Sequence, residues 1–373
     1  MKFILTCGGT AGHINPALAV AGRLKELVPD SEFLFIGAEG KMEMKLVPRE
    51  GYEIKPLKIT NLRRSLSPKG IAHNLKTVRN VFVSMSEAKK IIKEFKPDAV
   101  IGTGGYVCYP VLRAAAKLGI PTLVHESNAQ PGLTTKLLAG LVDRIMLGFE
   151  ESRQHYKDSD KLVFTGTPVR GEFASYTKER AKQELGLDPN EPLVVSIWGS
   201  LGAGHMNSDI AELIPMLGRD TGFRLIHSAG TGYYKKLVAK LEETDGDLQS
   251  RGAEVREYIY DMPRVMAAAD LVMCRAGAST ISELCYMGKP VIMVPSPNVT
   301  NNHQEKNARV LEAAGGAKVL LEGEFDAKSL LELVKSTLSD SEGLEKMSEA
   351  MRSLAVYDAT DRICEIILSL IKN

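Results

Sequence analysis

The chain has 373 residues, of which 44% are hydrophobic and 25% charged, and its formal net charge is +1. That length allows two domains with full cores, and the near-neutral balance argues against nucleic acid as the main partner, since phosphate backbones demand a broad basic excess. Five scattered cysteines (Cys7, Cys108, Cys274, Cys285 and Cys364), odd in number and without C-x-x-C spacing, exclude a disulfide framework or zinc site and read as small buried hydrophobes in a reducing cytoplasm. The apolar start is too short for a signal peptide and no run of 18 apolar residues occurs, so any membrane contact is expected to be peripheral.

Phe3–Cys7 is a short apolar run bounded by Gly8-Gly9, and a periodic segment carrying Leu18, Val20, Ala21, Leu24 and Leu27 follows. Asn15 as cap and Pro16 at the first helical position predict where that helix starts. Between them lies Gly8-Gly-Thr-Ala-Gly-His13, a glycine-rich bend at the carboxyl end of the first strand, where open α/β sheets collect ligands. It is not G-x-G-x-x-G, and no acidic residue follows the second strand, Glu32–Gly37, in the context of a dinucleotide fingerprint, which disfavours an oxidoreductase.

Further strands are predicted at Pro97–Gly102, Pro121–His125 and Arg144–Leu147, with helical patterns between them, as parallel strands with crossovers require. From Asn61 to Lys96, nine Lys or Arg stand against Glu87 and Glu94, interleaved with apolar residues. Such a segment could lie on an anionic membrane surface or be an ordinary amphipathic helix with a solvated basic face.

The pattern restarts at Leu193–Ile197, which leads into Trp198-Gly-Ser-Leu-Gly-Ala-Gly-His205; Gly9, Thr10 and Gly12 align there with Gly199, Ser200 and Gly202. Arg224–Ser228, Glu254–Tyr258, Leu271–Cys274 and Val291–Pro295 supply the strands of a second α/β domain, with the boundary near Gly166–Arg170. The domains are therefore set at 1–165 and 166–349, and the last helix, within 350–373, is expected to cross back to the first domain.

Cys274–Asn307 carries the most chemistry. An apolar strand ends in a small-residue turn, Gly277–Thr280, which opens a helix; unpaired N–H groups and the positive end of the dipole make this a seat for a phosphate or diphosphate. Glu283, a turn further on, could accept both hydroxyls of a ribose, and the alternative is a plain capped helix with Glu283 exposed. His13 is a candidate general base because imidazole titrates near working pH, and Glu126 competes for that role or orients an acceptor. His125-Glu126 is not H-E-x-x-H, since Ala129 takes the second histidine position. Asp158-Ser-Asp160 and Asp245-Gly-Asp247 read as solvated turns, so no metal and no cofactor are expected.

Taken in order, Gly-Gly-Thr-Ala-Gly-His (8 to 13), Gly-Gly-Tyr-Val (104 to 107), His-Glu-Ser-Asn (125 to 128), Gly-Thr-Pro-Val-Arg (166 to 170), Gly-Ser-Leu-Gly-Ala (199 to 203), Arg-Ala-Gly-Ala-Ser-Thr-Ile-Ser-Glu (275 to 283) and His-Gln-Glu-Lys-Asn-Ala (303 to 308) give a chain that resembles the MurG family across nearly its whole length. These are bacterial transferases that move N-acetylglucosamine (GlcNAc) from UDP-GlcNAc to N-acetylmuramic acid (MurNAc) of the lipid-linked precursor lipid I. The resemblance implies a GT-B fold, two Rossmann-like domains with parallel sheets facing across a deep cleft. It also implies inverting transfer to the MurNAc C4 hydroxyl, giving lipid II for peptidoglycan synthesis, at the cytoplasmic face of the cell membrane. Residue by residue, it assigns Thr10, Ala11, Gly12, Asn128, Arg170 and Ser200 to the donor. Backbone near Ile259 would hold uracil, Ala278, Ser279 and Thr280 the diphosphate, Glu283 the ribose and Gln304 the sugar. Two positions depart from the family pattern. Ala11 replaces a glycine and fits only if it avoids positive φ, and Trp198 replaces another, either narrowing the cleft or packing behind its loop. A UDP-sugar epimerase and a non-catalytic nucleotide-sugar-binding regulator are the rival readings.

Overall fold

The computed structural model describes residues 1–60, 68–157, 160–199, 202–245, 248, 250–299 and 302–371. The chain forms two compact units, one of Met1–Arg170 with Val356–Asn373, the other of Gly171–Ala355.

In the first unit, strands β1 (Lys2–Thr6), β2 (Glu32–Ala38), β3 (Glu53–Leu57), β4 (Ala99–Gly102), β5 (Thr122–Glu126), β6 (Arg144–Leu147) and β7 (Leu162–Phe164) alternate with helices α1 (Ala11–Leu27), α2 (Glu43–Arg49), α3 (Pro68–Phe95), α4 (Cys108–Lys117) and α5 (Leu133–Leu138). The sheet order is β3-β2-β1-β4-β5-β6-β7, and every pairing is parallel. One apolar layer, with Ile36, Ile92, Val111, Leu112 and Ile145, covers one face, and Leu5, Ile14, Ala21, Leu24 and Ile101 cover the other. The second layer is completed by Ile363, Cys364 and Ile367 of the last helix, which packs on α1.

In the second unit, helices α6 (Lys178–Glu184), α7 (Gly204–Leu213), α8 (Tyr234–Asp245), α9 (Met262–Ala268), α10 (Ala278–Met287), α11 (His303–Ala313), α12 (Ala327–Ser339) and α13 (Ser341–Ser353) surround strands β8 (Leu193–Ile197), β9 (Arg224–Ser228), β10 (Ala253–Arg256), β11 (Leu271–Cys274), β12 (Val291–Met293) and β13 (Ala317–Val319). The last helix, α14, is Ala359–Ile371. The sheet order is β10-β9-β8-β11-β12-β13, again all parallel, so the topology of the first unit's β3-β2-β1-β4-β5-β6 recurs.

One expectation is corrected. α1 begins at Ala11, with Thr10 as its cap residue and Pro16 inside it. The turn that follows Gly9 closes at once, His13 and Ile14 both donating to the Thr10 carbonyl at 3.1 and 3.3 Å. This near the amino end, a proline interrupts little of the hydrogen-bond ladder and its fixed φ suits the helix. β3, β7 and β13 were absent from the predicted strands. They are edge positions: β3 is mostly exposed and polar, β13 is broken by Lys318, and β7 is an apolar run of only three residues.

At the amino edge of both sheets the same device recurs. Asp98, Asp143 and Asp270 each stand one residue before a strand. The backbone N–H of each donates to the carbonyl of Lys2, Thr122 or Leu193, at 2.8, 3.0 and 2.8 Å. Each carboxylate accepts that same residue's N–H in return, at 2.7, 2.8 and 2.8 Å. The side chain thus supplies the acceptor that a parallel ladder lacks at its first residue.

Asp270 also pairs with Lys178 and, at 3.1 Å, with Lys182, whose side chain is 2% exposed. Asp270→Asn keeps an acceptor for Leu193 but removes the counter-charge of a buried ammonium. It is expected to cost about 3 kcal/mol, read from the urea midpoint of unfolding. Asp98→Asn, at the exposed counterpart, should cost less than about 1 kcal/mol. Equal losses at the two positions would remove burial as the cause.

Candidate functional site

In each sheet the strand order reverses at one place, between β1 and β4 and between β8 and β11. Crossovers leave in opposite directions there, so the two following loops diverge and leave a crevice at the carboxyl edge.

In the first unit that crevice is made by Gly8–His13 and Thr103–Val107. The Gly8 N–H donates to the Gly104 carbonyl at 3.2 Å, and the Thr103 hydroxyl donates to the His13 carbonyl at 2.6 Å. Gly104 and Gly105 have φ of +116° and +92°. A side chain on the first would strike the His13 ring, and one on the second would strike the Gly8 carbonyl. The imidazole is therefore seated on glycine backbone at the mouth of α1. Thr10 caps the helix without a side-chain hydrogen bond, and Ala11 and Gly12 are half-buried in its first turn. Ala11 lies outside positive φ, so its methyl is accommodated.

Glu126 ends β5 and is 4% exposed. Its Oε1 accepts the Asn128 N–H at 3.0 Å and the Asn128 amide at 3.1 Å, and its Oε2 accepts the Gly132 N–H at 2.9 Å. Both oxygens are committed to shaping the loop that carries Asn128. His125 beside it is buried, with Nε2 on the Gly166 carbonyl at 3.0 Å and Nδ1 on the Ser127 hydroxyl at 3.1 Å. The carbonyl can only accept, so the proton sits on Nε2. Burial pushes this imidazole down to about 4 despite the nearby Gly166 carbonyl and Glu126. Arg170 closes the first unit after β7 and pairs with Glu50 at 3.8 Å.

In the second unit the crevice lies between the loop after β8 and the start of α10. Trp198 is 2% exposed and belongs to the core, so it packs behind its loop. Ser200 lies outside the described residues. Gly277 is the cap residue of α10 and provides no side-chain bond to the orphan N–H groups; no acidic residue occupies the first turn. Ala278, Ser279 and Glu283 are 6%, 6% and 7% exposed, which corrects the picture of an exposed Glu283 on a plain surface helix. Ile259, 2% exposed, follows β10 at the same edge. Gln304, at the start of α11, accepts the Ser296 N–H at 2.9 Å, and Asn307 donates to the Ala276 carbonyl at 3.3 Å, so α11 is tied to the loops after β12 and β11.

Sequence reasoning missed the groups beneath these loops. Arg275 donates to the Val294 and Pro295 carbonyls at 3.0 and 3.2 Å, pairs with Glu322, and lies 6.0 Å from the Trp198 ring centroid. One guanidinium thus braces the ends of β8, β11, β12 and β13. His227 bonds Ser196 through Nδ1 at 3.0 Å and Asn207 through Nε2 at 2.9 Å, and Asn207 donates to the Ala203 and Ala229 carbonyls at 2.9 and 3.0 Å. Only the arginine beside the Ala-Gly-Ala-Ser motif left a sequence signal. The other contacts are long-range pairings with no local pattern.

Burial pushes His227 down to about 3. An unfolded histidine titrates near 6.5, so as pH falls below that value the unfolded chain takes up protons that the folded chain refuses. The stability present above about 6.5 is lost as pH falls toward the folded values, by up to about tenfold in the folding constant per pH unit for each ring. His125→Gln and His227→Gln should each flatten the fall of the urea midpoint between pH 6.5 and 4.5. An unchanged slope would show that the ring is not held neutral.

The glycosyltransferase family 28 N-terminal domain matches residues 3–147, and the corresponding C-terminal domain matches residues 193–363. The chain is 47% identical over 373 residues to the UDP-N-acetylglucosamine–N-acetylmuramyl-(pentapeptide) pyrophosphoryl-undecaprenol N-acetylglucosamine transferase of Acetivibrio thermocellus, covering 100% of this chain and 99% of the relative. It is 41% identical over 372 residues to the transferase of the same name from Listeria welshimeri, covering 100% of both. Among solved structures, Acinetobacter baumannii MurG superposes with a TM-score of 0.72 at 26% identity, covering 99% of each chain. The UDP-GlcNAc 2-epimerase of Neisseria meningitidis, at 18% identity and a TM-score of 0.68 over 99% of this chain and 100% of its own, shares the fold. The chain belongs to glycosyltransferase family 28 and, within it, to the MurG family of N-acetylglucosamine transferases.

Proposed function

We propose that the chain transfers GlcNAc from UDP-GlcNAc to the C4 hydroxyl of MurNAc in lipid I, with inversion, releasing UDP and forming lipid II. The observation that carries this reading is the uncapped, acid-free amino end of α10 at the second sheet's strand reversal, with buried Glu283 one turn inside it. Its N–H groups and dipole suit a leaving diphosphate, whose charge grows as the glycosidic bond breaks. Glu283 takes the ribose hydroxyls, backbone near Ile259 the uracil, and Gln304, oriented by Ser296, the sugar.

The acceptor oxygen bonds to the anomeric carbon while the bond to the diphosphate oxygen breaks, its electron pair leaving with UDP. The hydroxyl proton passes to His13. Glu126 is the weaker candidate for base because three N–H donors already occupy its carboxylate, which suits it to holding the Asn128 loop. The epimerase reading has only a shared fold behind it.

Labelled UDP-GlcNAc should deliver its sugar to a lipid I analogue; label released as free sugar or epimer, or not turned over, would favour the rivals. His13→Ala should lower turnover about 10²- to 10⁴-fold, and undiminished turnover would remove it from the chemistry. Glu283→Ala should raise the donor KM, and unaltered donor kinetics would sink the ribose assignment.

A lipid-linked acceptor calls for membrane contact, which we assign to the first unit at the inner face of the cell membrane. No described helix is long and apolar enough to cross a bilayer. Leu133, Leu137 and Leu141 are 58%, 53% and 41% exposed at four-residue spacing, with exposed Lys136 beside them. This arrangement suits peripheral attachment to anionic lipid. The basic segment 61–96 was the sequence-based candidate, but 61–67 and the side chains of 68–79 and 82 lie outside the described residues. Leu133→Ser with Leu137→Ser should reduce co-sedimentation with phosphatidylglycerol vesicles; undiminished binding would move the contact elsewhere.

A further inference from the structure

Glu43 opens α2 and has no exposed surface. Its Oε2 accepts the Gly9 N–H at 3.1 Å and its Oε1 accepts the Ala38 N–H at 2.9 Å, joining the glycine-rich loop after β1 to the end of β2. Two glycines make room for it. A Cβ on Gly8 would lie 2.6 Å from Glu43 Oε1, and one on Gly37 would lie 2.6 Å from its Cγ. Neither glycine has positive φ, so crowding, with Glu43 the nearest contact at each, and not backbone conformation accounts for both. On the opposite side the loop is held by the Gly104 carbonyl and, through the His13 carbonyl, by the Thr103 hydroxyl. Gly8–His13 is therefore gripped from two directions, and only one of the grips is charged. A buried carboxylate is costly and an apolar filler would be cheaper. What the carboxylate adds is two directed acceptors that fix where the loop's N–H groups point.

We propose that Glu43 is a positioning residue for transfer, its carboxylate setting the Gly8–His13 loop so that the imidazole of His13 meets the acceptor hydroxyl. This rests on His13 being the base, as read above. Glu43 itself touches neither substrate. A displacement of His13 by about 1 Å is enough to cost about 100-fold in rate.

Glu43→Gln keeps the volume but turns an amide N–H₂ toward a backbone donor, so the loop must shift. The expected result is a kcat about 100-fold lower with a much smaller rise in donor KM, since the donor contacts of α10 are untouched and only Thr10, Ala11 and Gly12 of the donor set lie in the shifted loop. Amide hydrogen exchange should quicken at Gly9 through His13 and not across β4 to β6. Glu43→Asp, which restores the charge one methylene short, should recover some of each. Wild-type kcat in Glu43→Gln would overturn the proposal, as would faster exchange spread evenly over the first unit, the mark of a merely structural role. Should Glu43→Gln fail to fold, Glu43→Asp carries the test: full kcat with an altered loop, or reduced kcat with unaltered loop exchange, would each overturn it. If the wild-type chain moves no label to the lipid I analogue, the reaction assigned above falls and the positioning role with it. Loop exchange would then still report whether Glu43 holds Gly9.

Discussion

Parallel strands can be joined only by carrying the chain from one end of the sheet back to the other, and this constraint organises both units. Each strand ends at the same edge, so the loops with freedom to bind a ligand collect there, and the order reversals beside β1 and β8 spread a pair of them open in each sheet. At the opposite edge chains arrive instead of departing, and that edge is closed by Asp98, Asp143 and Asp270. One edge is spent on stability and the other is left for chemistry.

The two carboxyl edges are stiffened by different means. In the first unit a buried carboxylate, Glu43, and the glycine-backed seat of His13 hold the loop to which the proposed reaction gives its proton. In the second a paired guanidinium, Arg275, and a neutral network around His227 support loops suited to a leaving diphosphate. The imidazoles of His125 and His227, kept neutral by burial, act as directed hydrogen-bonding struts. His13, the proposed base, stands instead beyond the end of β1, in the first turn of α1.

The sequence made legible what is local and periodic. β1, β6, β8 and β11 stood out because strands buried on both faces are near-continuous apolar runs, and the α10 turn stood out because small residues between a strand and a helix leave a local signature. It hid what depends on distant pairing. β3, β7 and β13 are short edges, Glu43 looks like any acidic residue opening a helix, and Glu126 showed a carboxylate without showing the three N–H groups that engage it. Pro16 misled because a proline within the second turn of a helix resembles one that starts it. The aspartates before β4, β6 and β11 recur in both halves of the chain and were a better trace of duplication than the glycine loops.

Residues 171–355 interrupt the first unit in the chain. Ile363, Cys364 and Ile367 complete the layer against α1, yet they leave the ribosome only after every strand of the second unit has been made. During synthesis the second unit is complete in sequence while the first still lacks the helix that covers α1 around Val20 and Arg23. A nascent chain stalled before residue 356 therefore presents one finished body and one open seam, and release of the C-terminus is the event that seals it.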